Sequence, residues 1–383
     1  MKSPVTDYVD ATQAPATPPT APSRGWKVLG WVCSVLSVVL VVSSLTAYGF
    51  YYKLTKGNMK RITMDVGKQP PKLNSAMNIL LLGSDTRAGS NAKYGKSLKK
   101  EPPRADTTIL VHLSPGGAAA TGISFPRDLL VDIPTCKNPD TGYVTQGARG
   151  MLNSAYTYGG VSCTWKTIER MTNIHIDHFA LVDFSGFKAV VNALGGVDIC
   201  LTQDVDDDKS KLHMKKGTHR VKGEQALAYV RARHGLGDGS DLSRIKRQQL
   251  FLGSVAKKAM DRGTLSNPIK LAGFLNATTK SLTVDDGFDS GAMLKLGEKL
   301  KGMSTGKVRF VTVPNMPHPA DPNRVALREP DAGTFFGQIR NDNQIQDLNK
   351  KAAVARIPVA QVRVRVLNGT GTQGLASSVA TSL

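Results

Sequence analysis

The feature that most constrains this chain is an apolar run near its N-terminus. No charged residue occurs between Val28 and Tyr52, and the run is dense in Val and Leu. A helix of this length spans roughly 37 Å, which covers a bilayer core of about 30 Å. The run is too long for the apolar region of a cleaved signal peptide, and no small-residue cleavage site follows it. Residues 28–52 are therefore predicted to form a transmembrane helix that acts as an uncleaved signal anchor.

The segments that flank this run predict a short tail on one side and a large external domain on the other. Residues 1–27 are rich in Pro, Ala and Thr and are predicted to be a disordered cytoplasmic tail, whereas residues 53–76 are predicted to be a basic stalk. The positive-inside count opposes export, but long domains translocate largely regardless of charge. Cys136 and Cys163 lie in sequence with Gly and Pro, which suits a disulfide in an oxidising compartment. We therefore expect a single-pass protein with an extracellular domain.

Charge restricts the partners of that domain. The 383 residues include 50 Lys and Arg against 30 Asp and Glu, a formal net charge of +20. Such a charge favours a polyanionic neighbour, such as a phosphate polymer, a pyrophosphate headgroup or an anionic lipid. Aromatic residues make up only 6% of the chain, and no helix-turn-helix or zinc-finger pattern accompanies the basic residues. Nucleic acid is therefore not expected as a partner, and most of the lysines are expected to be solvated.

Alternating strand and helix patterns predict the fold class. Apolar runs that end in turn residues begin near Met77, Thr107 and Ala120. Apolar residues then recur at helical spacing from Phe184 to a Gly-Gly stop, and a second helix is predicted from about residue 241 to 260. Strands that alternate with helices are typical of an α/β sheet flanked by helices.

The same patterns set the expected domain boundaries. The ordered domain is predicted over residues 77–329, and residues 330–360 are polar and predicted to be a linker. Residues 361–383 begin a new strand and helix. Within the domain, Cys200 lies in the apolar strand VDICL and is expected to be a buried free thiol.

Charged residues cluster at the ends of three predicted strands. Asp85 and Arg87 follow the first, Arg104 and Asp106 precede the second, and Arg127 follows the third. Ligands of open α/β sheets bind in loops at strand ends, and two aspartates from neighbouring loops are candidate ligands of Mg²⁺. A single loop Asp is more often a turn-capping residue. The recurrence of Arg beside Asp in three loops favours a site.

Two further groups of polar residues can bind an anion. Arg231 and Arg233 point to one side if the chain is extended there, but diverge by about 200° if it is helical. Arg244, Arg247 and Gln248 fall on one face near the start of the second predicted helix, where the helix dipole favours anions. Arginine binds phosphate oxygens bidentately and stays charged. For each group alone, a solvated basic surface is at least as good an explanation.

Seven motifs, taken in order, resemble the LytR-CpsA-Psr family of cell-wall glycopolymer transferases. They are NILLLGSDTR, RADTTILVHL, SFPRDLLVDIP, LNSAYTYGG, DFSGFKAVVNALGGVDI, GEQALAYVRARH and SDLSRIKRQQ. The match covers residues 77–260, and the predicted N-terminal anchor also suits the family. The resemblance implies a central mixed β-sheet flanked by helices. The segment from residue 361 looks like the start of a LytR C-terminal domain, truncated at residue 383, and paired Cys136 and Cys163 look like the actinobacterial branch.

The resemblance implies a membrane-anchored phosphotransferase. Its donor would be a polyprenyl-pyrophosphate-linked glycan, and its acceptor a peptidoglycan sugar hydroxyl. Attack on the sugar-linked phosphorus would form a phosphodiester and release polyprenyl phosphate, and a pyrophosphatase activity would be a side reaction of the same site. The alternative is a non-catalytic binder or sensor of prenyl-pyrophosphate lipids or anionic wall polymers. A transcriptional attenuator, as such proteins were historically named, is disfavoured by the predicted anchor and the absence of a DNA-reading motif.

The resemblance also assigns roles to individual residues. Asp85 and Asp106 would hold Mg²⁺ (or Mn²⁺) on the pyrophosphate, Asp241 would orient the arginines, and these three with Arg127 form the expected catalytic set. Asp85 and Asp106 are also the nearest candidates for the general base. The residues expected to bind pyrophosphate oxygens are Arg104, Arg127, Arg231, Arg233, Arg244 and Gln248, with contributions from Arg87 and Arg247. The prenyl chain needs an apolar tunnel, for which Phe187, Val190 and Leu194 are candidates, although such residues more often form ordinary core.

Overall fold

The computed structural model divides the chain into two units, residues 1–55 and residues 56–383. The residues that it describes are 24–55, 59–86, 91, 94, 104–232, 236, 239–261, 263, 267–288, 292–293, 296–297, 300, 303–343 and 377–378. Residues 1–23 of the predicted tail (residues 1–27) and nearly all of the predicted C-terminal domain over residues 361–383 lie outside this set.

The first unit contributes one described helix, α1 (Arg24–Thr55). The helical part of the prediction for residues 28–52 is therefore confirmed, and the helix begins four residues earlier, inside the predicted tail. The membrane-spanning part is not confirmed. Within the part of the chain that the structure describes, no helix is both long enough and apolar enough to cross a membrane.

The second unit is built from six described α-helices and a set of strands, most of them short. The helices are α2 (Leu152–Thr172), α3 (Phe184–Ala193), α4 (Gly223–Arg231), α5 (Asp241–Ala259), α6 (Pro268–Ser281) and α7 (Asp331–Arg340), with 3-10 turns at Pro115–Gly117 and Thr305–Lys307. The strands are β1 (Lys60–Ile62), β2 (Met77–Ser84), β3 (Ala105–Leu113), β4 (Ala120–Phe125), β5 (Leu130–Ile133), β6 (Cys136–Lys137), β7 (Val144–Thr145), β8 (Ala148–Met151), β9 (His178–Val182), β10 (Val197–Leu201), β11 (Val205–Asp207), β12 (Leu212–Met214), β13 (Gly217–Val221), β14 (Leu282–Asp285), β15 (Val308–Thr312), β16 (Asn315–His318) and β17 (Asp321–Leu327).

The central sheet is mixed and has seven strands in the order β1-β14-β9-β2-β3-β4-β15. Strands β2, β3 and β4 form an antiparallel meander at its centre. Strands β9 and β15 then pair in parallel with β2 and β4, respectively. The predicted α/β class with a mixed sheet is confirmed, and the predicted starts of β2 and β4 agree with the structure.

The alternation of side chains in β2 explains why the sheet is covered on both faces. Leu80 and Leu82 are fully buried in a cluster that includes Trp165 and Ile168 of α2. Ile79 points to the other face, where it packs in a cluster with Val284 of β14. Successive strand residues face opposite sides, so a strand that is apolar at nearly every position must be buried on both.

Two predicted connecting segments belong to the folded domain instead. In the predicted stalk, β1 pairs in parallel with β14 at the edge of the sheet. In the predicted linker over residues 330–360, α7 buries Phe335, Phe336 and Ile339 in the same cluster as α2. The linker prediction was wrong because it rested on average polarity, whereas a few apolar residues on one helix face suffice for docking. The stalk prediction missed β1 because the three residues of this edge strand are all exposed and form no apolar pattern. Residues 344–360 lie outside the described residues.

The strand VDICL is confirmed as β10, but it lies outside the central sheet and pairs only with β13. Val197, Ile199 and Leu201 are buried, whereas the side chains between them are exposed. Cys200 is therefore an exposed free thiol rather than a buried one. A ribbon covered on one face buries every second side chain, and Cys200 falls on the open face.

The predicted disulfide is present, since the sulfur atoms of Cys136 and Cys163 are 2.02 Å apart. Cys136 lies in β6, but Cys163 lies inside α2 rather than in a loop. The bridge packs against Gly159, where a Cβ atom would come within 2.9 Å of the Cys163 Cβ. The backbone of α2 leaves helical geometry at Gly159 and Gly160, which accommodates this close approach.

We expect Asp285→Asn to destabilise the domain at neutral pH by about 1–3 kcal/mol, because Asp285 ties β14 to β9. Its Oδ1 lies 3.0 Å from His178 Nδ1, and its Oδ2 accepts a 2.9 Å bond from the Phe179 amide. Although burial raises the pKa of Asp285, these hydrogen bonds bring it below its ordinary value of 3.8.

A lowered folded-state pKa gives stability that is present above the unfolded value and is lost as pH falls below it. Denaturant unfolding from pH 3 to 7 should therefore show that wild type has a larger free energy of unfolding than Asp285→Asn. This difference should narrow below about pH 3.8. Asp286→Asn, an exposed neighbour, is the matched control. A difference that is constant with pH would contradict the prediction.

Candidate active site

A cavity of about 370 Å³ lies between the ends of β2, β3 and β9 and the helices α3, α4 and α5. Its lining is polar at one part and apolar elsewhere. The polar lining residues are Ser84, Asp106, Thr107, Asp183, Arg231, Arg244 and Gln248. The apolar lining residues are Leu81, Leu82, Val182, Phe184, Phe187, Leu227, Val230, Phe251 and Leu252, beside Gly83. Such a cavity suits a ligand with an anionic head and an apolar tail.

The antiparallel pairing of β2 and β3 brings Asp85 and Asp106 to the same end of the sheet. The register shifts by one residue at Gly83/Ser84, and such a bulge turns the following side chains. The Asp85 amide donates to the Arg104 carbonyl at 3.1 Å, and the Arg104 amide donates to Asp85 Oδ1 at 2.8 Å. These two bonds fix Asp85 and Arg104 next to each other. Asp85 directly follows the cavity-lining residue Ser84, and Arg104 lies two residues before Asp106 in the sequence.

Arg127, which follows β4, is surrounded by three carboxylates. Its Nη1 donates to Asp106 Oδ1 at 3.1 Å, and its Nε lies 3.4 Å from Asp128 Oδ2 and 3.3 Å from Asp241 Oδ1. Although burial lowers the pKa of Arg127, the charges of Asp128, Asp106 and Asp241 raise it above its ordinary value. Arg127 is therefore a fixed cation that joins β3 and β4 to the start of α5.

Asp241 links Arg127 to a second buried arginine. It lies in the first turn of α5, whose N-cap residue Ser240 accepts a 3.1 Å bond from the Ser243 amide. Asp241 Oδ1 pairs with Arg244 Nη2 as well as with Arg127 Nε. Arg244 is only 5% exposed, yet it lines the cavity. One carboxylate therefore orients two guanidinium groups, at a helix N-terminus that itself favours anions.

Arg231 and Gln248 complete the polar part of the lining. Arg231 is the last residue of α4, and the chain becomes extended at Ala232. Gln248 on α5 accepts from the Thr107 hydroxyl at 3.4 Å and donates to the Val230 carbonyl at 3.3 Å. The structure thus brings Asp106, Arg231, Arg244 and Gln248 to one cavity, as the sequence predicted.

Arg247 does not belong to this group, which corrects the prediction. Arg247 is not among the residues that line the cavity. It is buried, with 7% of its surface exposed. Its guanidinium donates to the carbonyl oxygens of Tyr229, Ala232 and Leu236, around the end of α4. Burial lowers its pKa. Arg247 therefore caps a helix C-terminus, a role that helical spacing alone does not separate from ligand binding.

Of the three residues predicted to line an apolar tunnel, one lies at the cavity. Phe187 lines the cavity, whereas Val190 and Leu194 of the same stretch are described and do not. They lie about one and two helical turns beyond Phe187, and Leu194 is 5% exposed. Arg87 and Arg233 lie outside the described residues.

Tyr156 is a residue that sequence reasoning did not assign. It comes from α2, in the LNSAYTYGG motif, and forms a hydrogen bond with Ser84. Burial raises the pKa of its phenol, and the charges of Asp140 and Asp85 raise it further, despite that hydrogen bond. Tyr156 therefore remains a neutral phenol beside Asp85. Its position in the LNSAYTYGG motif was the feature of the sequence that could have identified it as a site residue.

The donor set of Asp85 and Asp106 fits a hard divalent cation. Both offer carboxylate oxygens, which Mg²⁺ prefers; Asp106 lines the cavity, and Asp85 directly follows the lining residue Ser84. A separate acidic group, Asp206, Asp208 and His213 on the β11–β12 hairpin, also lies close together but is fully solvent-exposed.

Comparisons with known proteins place this chain among cell-envelope proteins. A model of the LytR_cpsA_psr family matches residues 39–343. A second model, described as LytR cell envelope-related transcriptional attenuator, matches residues 361–383. The cell wall biosynthesis protein LcpA of Corynebacterium glutamicum is 28% identical over 410 residues, which cover 98% of this chain and 78% of LcpA.

Two further similarities bear on the transfer chemistry and the fold. The polyisoprenyl-teichoic acid–peptidoglycan teichoic acid transferase TagU of Bacillus cereus is 29% identical over 275 residues, covering 69% of this chain and 82% of TagU. The structure of a LytR-Csp2A-Psr enzyme from Actinomyces oris has a TM-score of 0.56 at 22% identity, covering 73% of this chain and 95% of that one. At that identity the structural likeness establishes the fold alone.

Proposed function

Because the chain belongs to the LytR_cpsA_psr family, we propose that it transfers a glycopolymer from a polyprenyl-pyrophosphate carrier to peptidoglycan. The names of its relatives support transfer of a wall glycopolymer, since TagU is a polyisoprenyl-teichoic acid–peptidoglycan transferase and LcpA a cell wall biosynthesis protein. The observation that carries the proposal is the cavity itself. It joins the carboxylate–guanidinium cluster around Asp241 to an apolar lining built by α3, α4 and α5.

The two parts of the cavity match the two parts of such a donor. The pyrophosphate lies against Arg231, Arg244 and Gln248, and the prenyl chain lies along the apolar lining that includes Phe187 and Phe251. Burial of a prenyl chain contributes about 0.8 kcal/mol per buried CH₂ group. Anchoring the carrier lipid in this way leaves the sugar-linked phosphorus near Asp106 and Arg127.

The reaction is a displacement at the sugar-linked phosphorus. The acceptor hydroxyl oxygen forms a bond to that phosphorus, the bond from phosphorus to the bridging oxygen breaks, and polyprenyl phosphate leaves. Phosphoryl transfer depends mainly on positioning and charge neutralisation, which Arg127, Arg231 and Arg244 provide. Asp241 holds two of these arginines in place. The proton of the acceptor hydroxyl passes to Asp85 or Asp106.

Asp85 and Asp106 would also hold Mg²⁺ or Mn²⁺. A divalent cation there supplies charge neutralisation to the pyrophosphate oxygens and lowers the energy of the leaving phosphate. The arrangement of Asp85 with the Arg104 amide keeps its side chain at the cavity edge, where the pyrophosphate arrives.

We place this activity on the cell-wall side of the membrane. The Cys136–Cys163 disulfide supports an oxidising compartment, because such bonds persist outside the cytoplasm. Both substrates, a lipid-linked glycan and peptidoglycan, are met there.

The proposal is tested by incubating the full chain with a prenyl-pyrophosphate-linked short glycan, Mg²⁺ and a peptidoglycan oligomer. Mass spectrometry should detect a phosphodiester adduct and free prenyl phosphate. Asp85→Asn and Asp106→Asn should each abolish the adduct, and so should chelation of the metal, while donor binding persists. Asp132→Asn, an exposed carboxylate on β5, is the matched control and should leave turnover unchanged. Tight donor binding without any adduct would instead favour a non-catalytic binder, and prenyl phosphate release without adduct would indicate a pyrophosphatase.

A further inference from the structure

Arg231 lies against two aromatic rings that contact each other edge to face at the cavity. Its guanidinium carbon Cζ lies 4.6 Å from the centroid of the Phe184 ring and 5.5 Å from the centroid of the Tyr94 ring. The two rings lie 5.2 Å apart at an interplanar angle of 80°. A guanidinium within about 6 Å of an aromatic face is attracted by the negative charge of that face. Both Phe184 and Arg231 line the cavity.

Tyr94 is itself held in place by a charged pair. Its hydroxyl donates to the Glu224 carboxylate, with oxygen–oxygen distances of 2.8 and 2.9 Å, and accepts from Lys188 Nζ. Lys188 also donates to Glu224 at 2.9 Å. Although burial lowers the pKa of Lys188, its bonds to Tyr94 and Glu224 raise it. The tyrosine ring is thus fixed from α3 and from α4 at once.

A second contact holds Asn91, which precedes Tyr94 by three residues in the sequence. Asn91 is 1% exposed, donates from Nδ2 to Asp183 Oδ2 at 2.9 Å, and accepts from the Ser185 hydroxyl at 2.7 Å. Asp183 is the N-cap of α3, where its other oxygen accepts from the Gly186 amide. The same helix start therefore presents Phe184 to the cavity and binds Asn91.

We propose that Tyr94 is a positioning residue that, with Phe184, orients the Arg231 guanidinium toward the anionic head of the ligand. This inference rests on the proposed function, because it takes the anionic head of the ligand to be the pyrophosphate of the donor. A long arginine at a helix end samples many rotamers, and it must lose that freedom when it binds an anion. The two rings restrict Arg231 before the ligand arrives, so less entropy is lost on binding. The chemistry itself does not involve Tyr94.

The test is a double-mutant cycle on the full chain, with farnesyl pyrophosphate as the probe and its Kd measured by calorimetry. Tyr94→Leu should weaken binding roughly 3- to 10-fold in the wild-type background, the range expected from loss of one cation–π contact. It should have no effect in the Arg231→Ala background, because there is no guanidinium left to orient. Tyr94→Phe keeps the ring but loses the hydroxyl bonds to Glu224 and Lys188, so its affinity should lie between those of wild type and Tyr94→Leu. Tyr143→Leu, at a tyrosine that is 70% exposed, is the matched control.

A ligand-free measurement separates failure of this inference from failure of the proposed function. The Arg231 Nε–H resonance, assigned with Arg231→Lys, should be shifted upfield by the two rings in wild type and lose the Tyr94 contribution to that shift in Tyr94→Leu, while the contribution of Phe184 remains. If wild type shows this shift but does not bind farnesyl pyrophosphate, the proposed function fails and the positioning of Arg231 stands. An equal loss of affinity in both backgrounds, or the absence of the ring-dependent shift, would overturn the role of Tyr94.

Discussion

Arg127→Ala is expected to lower kcat/KM for glycan transfer by about 10³-fold, the loss seen when a preorganised group that stabilises transition-state charge is removed. Arg127 contacts Asp106, Asp128 and Asp241 at once, within 3.1 to 3.4 Å. Its removal takes away the guanidinium that donates to Asp106 and one of the two guanidinium groups that pair with Asp241. Both effects weaken charge neutralisation at the phosphorus. Steady-state kinetics with the lipid-linked donor measure the loss.

Two variants make this prediction specific. Arg127→Lys keeps the charge but not the planar fork that reaches several carboxylates, so it should recover only a small part of the activity. Arg149→Ala removes an exposed arginine that is paired with Asp132 on the surface and should leave kcat/KM unchanged. A loss of less than about tenfold in Arg127→Ala, with an unchanged melting temperature, would contradict a role in transition-state stabilisation.

Val182→Trp should weaken binding of a long-chain prenyl-pyrophosphate donor by roughly 100-fold or more. Val182 ends β9 and lines the apolar part of the 370 Å³ cavity. An indole ring there takes up volume that the prenyl chain would otherwise fill. Excluding even four CH₂ groups of the prenyl chain from the cavity removes about 3 kcal/mol of favourable burial free energy. This loss corresponds to a factor of more than about 100 in Kd. Calorimetry with donors of increasing prenyl length measures the effect.

The comparison across ligands and positions separates blocked binding from disturbed folding. Binding of inorganic pyrophosphate should be much less affected by Val182→Trp, because the arginines are untouched. Val190→Trp, a valine on α3 that is also partly buried but does not line the cavity, is the matched control. If Val182→Trp leaves long-chain donors bound as tightly as wild type, the prenyl chain does not occupy this cavity.

Local patterns predicted the elements of the fold well. The strands β2 and β4 and the helices α3 and α5 begin within one residue of their expected positions. Their signals are local: an uninterrupted apolar run for a two-sided strand, helical spacing for α3, and the capping residue Ser240 before α5. Such signals are carried by neighbouring residues and need no knowledge of the rest of the chain.

The wrong predictions concern the burial of a residue or the groups that its side chain contacts. Helix α7 was taken for a linker because its three buried residues, Phe335, Phe336 and Ile339, lie in a polar setting. Cys200 was taken as buried because it lies in the apolar strand VDICL, but β10 is covered on one face and Cys200 lies on the other. Arg247 was placed with the ligand-binding arginines because it shares a helix with Arg244, but its guanidinium binds carbonyl oxygens around the end of α4. In each case the packing of one element against another decided the outcome.

The sequence by itself determined the alternation of strands and helices, the choice of charged residues at strand ends, and the family to which they point. It determined these because strand and helix periodicity and turn chemistry are properties of short stretches. Only the tertiary structure decided that Asp241 is shared by Arg127 and Arg244, that Arg247 caps α4, and that Tyr94 lies against Arg231. The physical reason is that charge pairs and ring contacts depend on distances of a few ångströms. Packing of α3, α4 and α5 against the sheet sets those distances, in some cases between residues more than one hundred positions apart, such as Arg127 and Asp241 or Tyr94 and Arg231.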